Sequence, residues 1–112
     1  MTTVVTGAGG FLGSVLVREL VARGRSVRAI VRSNKKALEE LDIEIVTADI
    51  RDSSSLDRAV TGADTVFHLA SVISLSGDRS GSVTETNVDG AKNVAKAALR
   101  NGVKRFIHCS SI

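Results

Sequence analysis

Thr6-Gly7-Ala8-Gly9-Gly10-Phe11-Leu12-Gly13 is the stretch on which the reading of this chain turns. Its spaced glycines, Gly7, Gly10 and Gly13, form a G-x-x-G-x-x-G pattern. Thr2 to Thr6, just before it, is a short β-rich run. Phe11 to Arg23, just after, carries Leu12, Val15, Leu16 and Leu20 at helical spacing and is closed by Gly24. The glycines therefore fall at a strand-to-helix turn. There Gly7 permits a tight bend, Gly10 lets backbone come close to a pyrophosphate, and Gly13 lets the helix pack on the strand. The start of the helix presents unpaired N–H groups, which suits phosphate. No Gly-Lys-Ser/Thr follows, so the turn is not a P-loop.

Outward from the turn, short β-rich runs alternate with helical ones. Ser26 to Arg32 reads as a second strand, Asn34 to Leu41 as a short charged helix or turn, and Ile43 to Thr47 as a third strand. Asp52, Ser53, Ser54 and Ser55 offer N-caps for a helix through Val60 that Thr61-Gly62 ends. Thr65 to Ala70 is a fourth strand, and Ser71 to Gly81 a Ser/Gly loop. Ser82 and Glu85 have capping-box spacing ahead of a helix with Val88, Ala91, Val94, Ala95, Ala98 and Leu99 on its apolar face. Asn101-Gly102 stops that helix, and Val103 to Cys109 is the fifth strand. This alternation predicts an α/β fold: a doubly wound parallel sheet of the Rossmann type, strand order 3-2-1-4-5. Residues 1–112 are then expected to be one NAD(P)-binding domain, incomplete because it stops after the fifth strand with no closing helix.

The end of the second strand bears on the choice of dinucleotide. An NAD site places an Asp or Glu there to bind the ribose hydroxyls, and this chain has Arg32. A carboxylate repels a 2′-phosphate, whereas a guanidinium pairs with it bidentately. NADP(H) is therefore expected over NAD(H), with Ser33, Asn34, Lys35 and Lys36 as auxiliary donors. Arg28, further from that strand end, reads as a surface residue.

Composition narrows the alternatives. A chain of 112 residues has room for one domain. Its formal charge of +3 and three phenylalanines are a poor basis for a nucleic-acid surface, which needs basic runs and stacking rings. No run approaches the roughly 20 apolar residues of a membrane span, and the first residues lack the pattern of a signal peptide. With Cys109 as the one cysteine, a cytoplasmic setting is expected. His68, His108 and Cys109 lack metal-ligand spacing, so no metal is expected. Cys109 reads as a small buried hydrophobe, and Phe11 as a packing residue beside the glycine turn.

Several separated segments together resemble the extended short-chain dehydrogenases/reductases, which include the NAD-dependent epimerases and dehydratases; the dihydroflavonol-reductase-like and 3β-hydroxysteroid-dehydrogenase-like branches are the most similar. Thr6 to Gly13 resembles the family's cofactor turn, adding Phe11 and Leu12 to the cofactor contacts. Ala48-Asp49-Ile50 resembles its acidic segment, which implies that Asp49 binds the adenine amino group and Ile50 packs near the ring. Asp64 to Ala70 is similar to the fourth strand, implying that Leu69, Ala70 and Ser71 lie along the cofactor. Asn87-Val88-Asp89-Gly90 resembles the helix in which Asn87 would brace the active-site backbone. Arg105 to Ser111 is similar to the fifth strand and its terminal serine.

The resemblance implies a Ser, a Tyr and a Lys acting together while hydride passes between substrate and nicotinamide. Ser111 aligns with the catalytic Ser, and Ser110 is the alternative. The chain contains no Tyr, so a Tyr-x-x-x-Lys is expected beyond Ile112, and these residues alone are expected to be inactive. The implied activity is reduction of a ketone or oxidation of a secondary alcohol with NADP(H). A nucleotide-sugar epimerase or dehydratase and a non-catalytic NADP sensor are the alternatives. The expected partners are a small-molecule substrate and a second copy of the full-length protein, with Ser71 to Gly81 as the loop that meets substrate.

Overall fold

The computed structural model describes residues 2–32, 35–69 and 82–109. Their order is β1 (Thr2–Thr6), α1 (Phe11–Ala22), β2 (Ser26–Val31), a 3-10 turn (Lys36–Leu38), β3 (Glu44–Thr47), α2 (Ser53–Val60), β4 (Ala63–His68), α3 (Ser82–Arg100) and β5 (Arg105–His108). The strands form one sheet in the order β3-β2-β1-β4-β5, parallel throughout, as the alternation predicts. The chain winds from β1 out to β3, then crosses back to β4 and β5. That reversal places a crevice at the carboxyl ends of β1 and β4. The fourth strand begins two residues earlier than expected, because Ala63 already pairs with Thr2 across a register shift.

Both faces of the sheet are covered near its centre, which is why the strands read as apolar runs. Val4, Ile30 and Val66 pack against Leu56, Ala59 and Val60 of α2 and Val94, Ala97 and Ala98 of α3. Val5, Ala29 and Val31 belong to a second cluster with Val17 and Leu20 of α1.

The inward faces of two helices differ from those that hydrophobicity predicts. In α1 the buried residues are Gly13, Val17 and Leu20, while Leu12 and Val15 are exposed. In α3 the buried residues include Gly90, Val94, Ala97 and Ala98, while Val88, Ala95 and Leu99 are exposed. In each case a glycine marks the face in closest contact. A Cβ on Gly13 would overlap the Gly7 carbonyl oxygen and lie 2.8 Å from its carbon and 2.9 Å from the Ala8 Cα. A Cβ on Gly90 would overlap the Ile50 side chain.

Polar ties fasten the frame. Arg28, expected at the surface, is largely covered. Its Nε donates to Glu44 Oε1 at 2.7 Å, and its Nη1 donates to the carbonyls of Ala59 and Thr61 at 2.7 Å each. The guanidinium thus satisfies carbonyls at the end of α2, where a helix leaves acceptors unpaired. Asp52 caps the other end of α2 by accepting from Ser54 N at 3.2 Å. Arg100 of α3 pairs with Asp57 of α2.

His68 is 1% exposed. Its Nδ1 shares a 2.8 Å hydrogen bond with the Thr6 hydroxyl, which also accepts from Leu69 N at 3.0 Å. The ring lies 5.1 Å from that of His108 and 6.3 Å from that of Phe106. Burial, and then the neighbouring His108, push the His68 pKa down to about 4.

Two outcomes are expected. Gly13→Ala should cost on the order of 2–3 kcal/mol in urea unfolding, because the obstructing atoms are backbone. Gly10→Ala should unfold like the unmodified chain. The depressed His68 pKa means that the unfolded chain binds a proton more readily than the folded one. The contribution is intact above about pH 6.5 and is lost as pH falls toward about 4, with a total on the order of 3 kcal/mol. His68→Asn should flatten the urea midpoint across that interval; an unchanged slope would refute the assignment.

Candidate cofactor site

Because every strand runs the same way, the segments that follow the strands share one edge of the sheet. The structure brings Gly7, Gly10, Phe11, Leu12 and Gly13 to that edge after β1, Arg32 after β2, Asp49 and Ile50 after β3, and Leu69 after β4. Ala70, Ser71, the rest of the 71–81 loop, Ser110, Ser111, Ser33 and Asn34 lie outside the described residues, as does the side chain of Asn87 in α3.

The glycine turn is held on several sides. Gly7 has φ +67°, the left-handed region that favours glycine. Gly10 N donates to Gly7 O at 3.1 Å, and Ala8 N donates to Ile30 O at 3.3 Å, tying the turn to the end of β2. The first intrahelical bond of α1 runs from Ser14 N to Gly10 O at 2.9 Å. The N–H groups of Phe11, Leu12 and Gly13 precede it, so the helix itself supplies them no acceptor. Gly10 caps the helix without a side chain, and the first turn holds no acid.

Gly10 gives a test of fit for a pyrophosphate. Its φ of −81° suits any residue, and a Cβ there would find its nearest neighbour, Gly7 O, at 3.4 Å. Neither backbone nor protein packing calls for glycine at this position. An open approach for a phosphate beside unpaired N–H groups does, and the turn fits the group. Phe11, expected to pack beside the turn, is 87% exposed, and Leu12 is 55% exposed. The first turn of α1 has its glycine face on the sheet, so its large side chains point away.

After β3, Asp49 is engaged by Arg51. Arg51 Nε lies 3.1 and 3.2 Å from the two carboxylate oxygens, its Nη2 donates to Oδ2 at 2.7 Å, and its backbone N donates to Oδ1 at 2.9 Å. These bonds, outweighing the cost of burial, lower the Asp49 pKa to about 2, with a smaller contribution from Arg32. Ile50, expected near the adenine ring, packs its side chain on Gly90 and the core beneath. Asn93 Nδ2 donates to Ile50 O at 2.9 Å. Arg32 stands exposed at the end of β2.

Thr6, Arg51 and Asn93 were not singled out from the sequence. The faint signals are that Arg51 follows Asp49 by two residues and that Asn93 lies one helical turn from Gly90. Cys109, expected to be buried, is exposed; its N donates to His68 O at 3.1 Å as β5 leaves the sheet edge. Among the described residues, no three His, Cys, Asp or Glu side chains gather in a metal-binding group, and no helix is long and apolar enough to cross a membrane.

The model of the 3-beta hydroxysteroid dehydrogenase/isomerase family matches residues 4–112. The chain is 43% identical to sterol demethylase protein B of Methylococcus capsulatus, over 99% of this chain and 34% of that protein. It is 38% identical to a 3 beta-hydroxysteroid dehydrogenase/Delta 5→4-isomerase of Mycobacterium tuberculosis, over 96% of this chain and 31% of that protein. Among solved structures it is similar to a double mutant of DesIV, a dTDP-glucose 4,6-dehydratase from Streptomyces venezuelae with NAD bound. There the TM-score is 0.87 at 31% identity, covering 99% of this chain and 39% of the other. The chain thus spans about a third of the length of the curated relatives it matches. The family match begins within β1 and runs through the glycine turn and the acidic segment to Ile112, and this chain belongs to the 3-beta hydroxysteroid dehydrogenase/isomerase family of extended short-chain dehydrogenases/reductases.

Proposed function

We propose that residues 1–112 are the dinucleotide-binding part of an NADP(H)-dependent oxidoreductase that interconverts a ketone and a secondary alcohol on a small molecule. The observation that carries the choice of dinucleotide is Arg32, exposed at the exit of β2 where an NAD site has an acid. NADP would supply the hydride acceptor, and its reduced form the donor. In this reading the backbone of Gly7, Gly10, Phe11, Leu12 and Gly13 holds the pyrophosphate, and Arg32 holds the 2′-phosphate. Asp49 accepts from the adenine amino group, using carboxylate lone pairs that Arg51 leaves open. Ile50 supports the floor beneath it. Leu69, Ala70 and Ser71 line the path toward the nicotinamide, Asn87 braces the backbone there, and Ser111 holds the substrate oxygen.

A second reading is favoured by solved relatives whose names carry NAD, among them DesIV, a dehydratase, and a short-chain dehydrogenase/reductase superfamily protein of Agrobacterium tumefaciens. Under it the parent uses NAD for epimerisation or dehydration of a nucleotide sugar.

Calorimetric titration of the chain separates the two. NADP+ is expected to bind at least about tenfold tighter than NAD+, and Arg32→Ala to remove that margin while leaving NAD+ binding unchanged. Tighter binding of NAD+ would sink the NADP reading and favour the second. Gly10→Val should weaken both dinucleotides by about tenfold or more by obstructing the pyrophosphate. For the parent activity, sequencing the reading frame past Ile112 is expected to meet a Tyr-x-x-x-Lys; its absence would leave a dinucleotide-binding sensor.

A further inference from the structure

We propose that Arg51 is a specificity-determining residue at the adenosine end of the site: by engaging both carboxylate oxygens of Asp49, it keeps that carboxylate from competing for Arg32 and leaves the Arg32 guanidinium to a 2′-phosphate. The inference rests on the NADP reading above and extends it to a residue outside the glycine turn and the ribose position.

The argument begins with the strand exits. β2 and β3 are neighbours, with Val31 opposite Thr47, and Ala48 N donates to Val31 O at 3.0 Å. Arg32 and Asp49 therefore leave adjacent strands side by side, an acid beside the cation that would read the phosphate. A carboxylate in that position acts twice against a phosphate ester, repelling the anion and drawing the guanidinium to itself. Arg51 counters both effects. Its side chain reaches Oδ1 and Oδ2, with the shortest bond, Nη2 to Oδ2, at 2.7 Å. The three side chains then sum to one positive charge, where Arg32 and Asp49 alone would sum to none.

The loop that carries the pair is also held by bonds that do not involve the Arg51 side chain. Asp52 N donates to Asp49 O at 2.9 Å, and Ser55 Oγ donates to the same oxygen at 3.4 Å. Asn93 holds Ile50 O from below, and Ile50 is seated on Gly90. The Arg51 and Asp49 side chains are both partly exposed, a setting in which an ion pair adds little to stability. Removing the Arg51 charge should therefore alter the local field and leave the fold in place.

The test is calorimetric titration of the 112-residue chain with NADP+ and NAD+ at low ionic strength, for the unmodified chain, Arg51→Gln and the double variant Asp49→Asn/Arg51→Gln. The quantity read is the ratio of the two affinities. Arg51→Gln is expected to lower the preference for NADP+ by about tenfold with an unchanged urea midpoint, and the double variant to restore it. A ratio that Arg51→Gln does not move overturns the proposal. So does a loss that Asp49→Asn fails to recover, since Arg51 would then act on the phosphate directly. The unmodified chain's own ratio tests the NADP reading separately: a preference for NAD+ would refute that reading, while a fall in the ratio on Arg51→Gln, recovered in the double variant, would still support the role of Arg51.

Discussion

The approach of Gly13 to the Gly7 carbonyl is the contact on which the remaining geometry rests. It brings the first turn of α1 onto the end of β1 with backbone meeting backbone, closer than any side chain allows. The position of α1 fixes where the N–H groups of Phe11, Leu12 and Gly13 point. The same closeness turns Phe11 and Leu12 outward and brings Val17 and Leu20 inward against the sheet. Ala8, buried beside the contact and bonded to Ile30 O, ties the turn to β2 and so to the strand whose exit carries Arg32. The glycine turn and the Arg32 position are thus tied together, though eighteen residues lie between Gly13 and Arg32.

The strand order was readable because it follows from chain-wide regularities: short β-rich runs, intervening helices and the right hand of their crossovers. Helix faces were less readable for a single reason. A hydrophobicity pattern gives weight to large apolar side chains, and in both α1 and α3 the closest approach is made at a glycine. Leu12, Val15, Val88 and Leu99 therefore read as core and are exposed, while Gly13 and Gly90 pack. Arg28 differs for another reason. Its distance from the strand exit makes it read as a surface residue, but its reach to the Ala59 and Thr61 carbonyls depends on where α2 ends in space.

The candidate site divides in the same way. Gly7, Gly10, Gly13 and Arg32 could be found from local spacing, since a strand, a turn and a helix suffice to explain them. Arg51 and Asn93 could not. Arg51 becomes interesting only once β2 and β3 are known to lie side by side, and Asn93 only once Gly90 is known to seat Ile50. Thr6 belongs with them: its hydroxyl joins the ends of β1 and β4 through His68, 62 positions further along the sequence.

The bond from Asn93 to the Ile50 carbonyl links positions 43 apart in the chain, and the seat of Ile50 on Gly90 links positions 40 apart. The glycine turn, by contrast, closes within the seven residues from Gly7 to Gly13. Loop-closure entropy treats these very differently. The glycine turn needs little more than the meeting of β1 and α1, a local contact. The acidic loop has no floor until β4 is laid down and α3 has docked across it. The acidic-loop side of the candidate site therefore closes over much longer stretches of chain than the glycine turn, and its closure costs correspondingly more entropy.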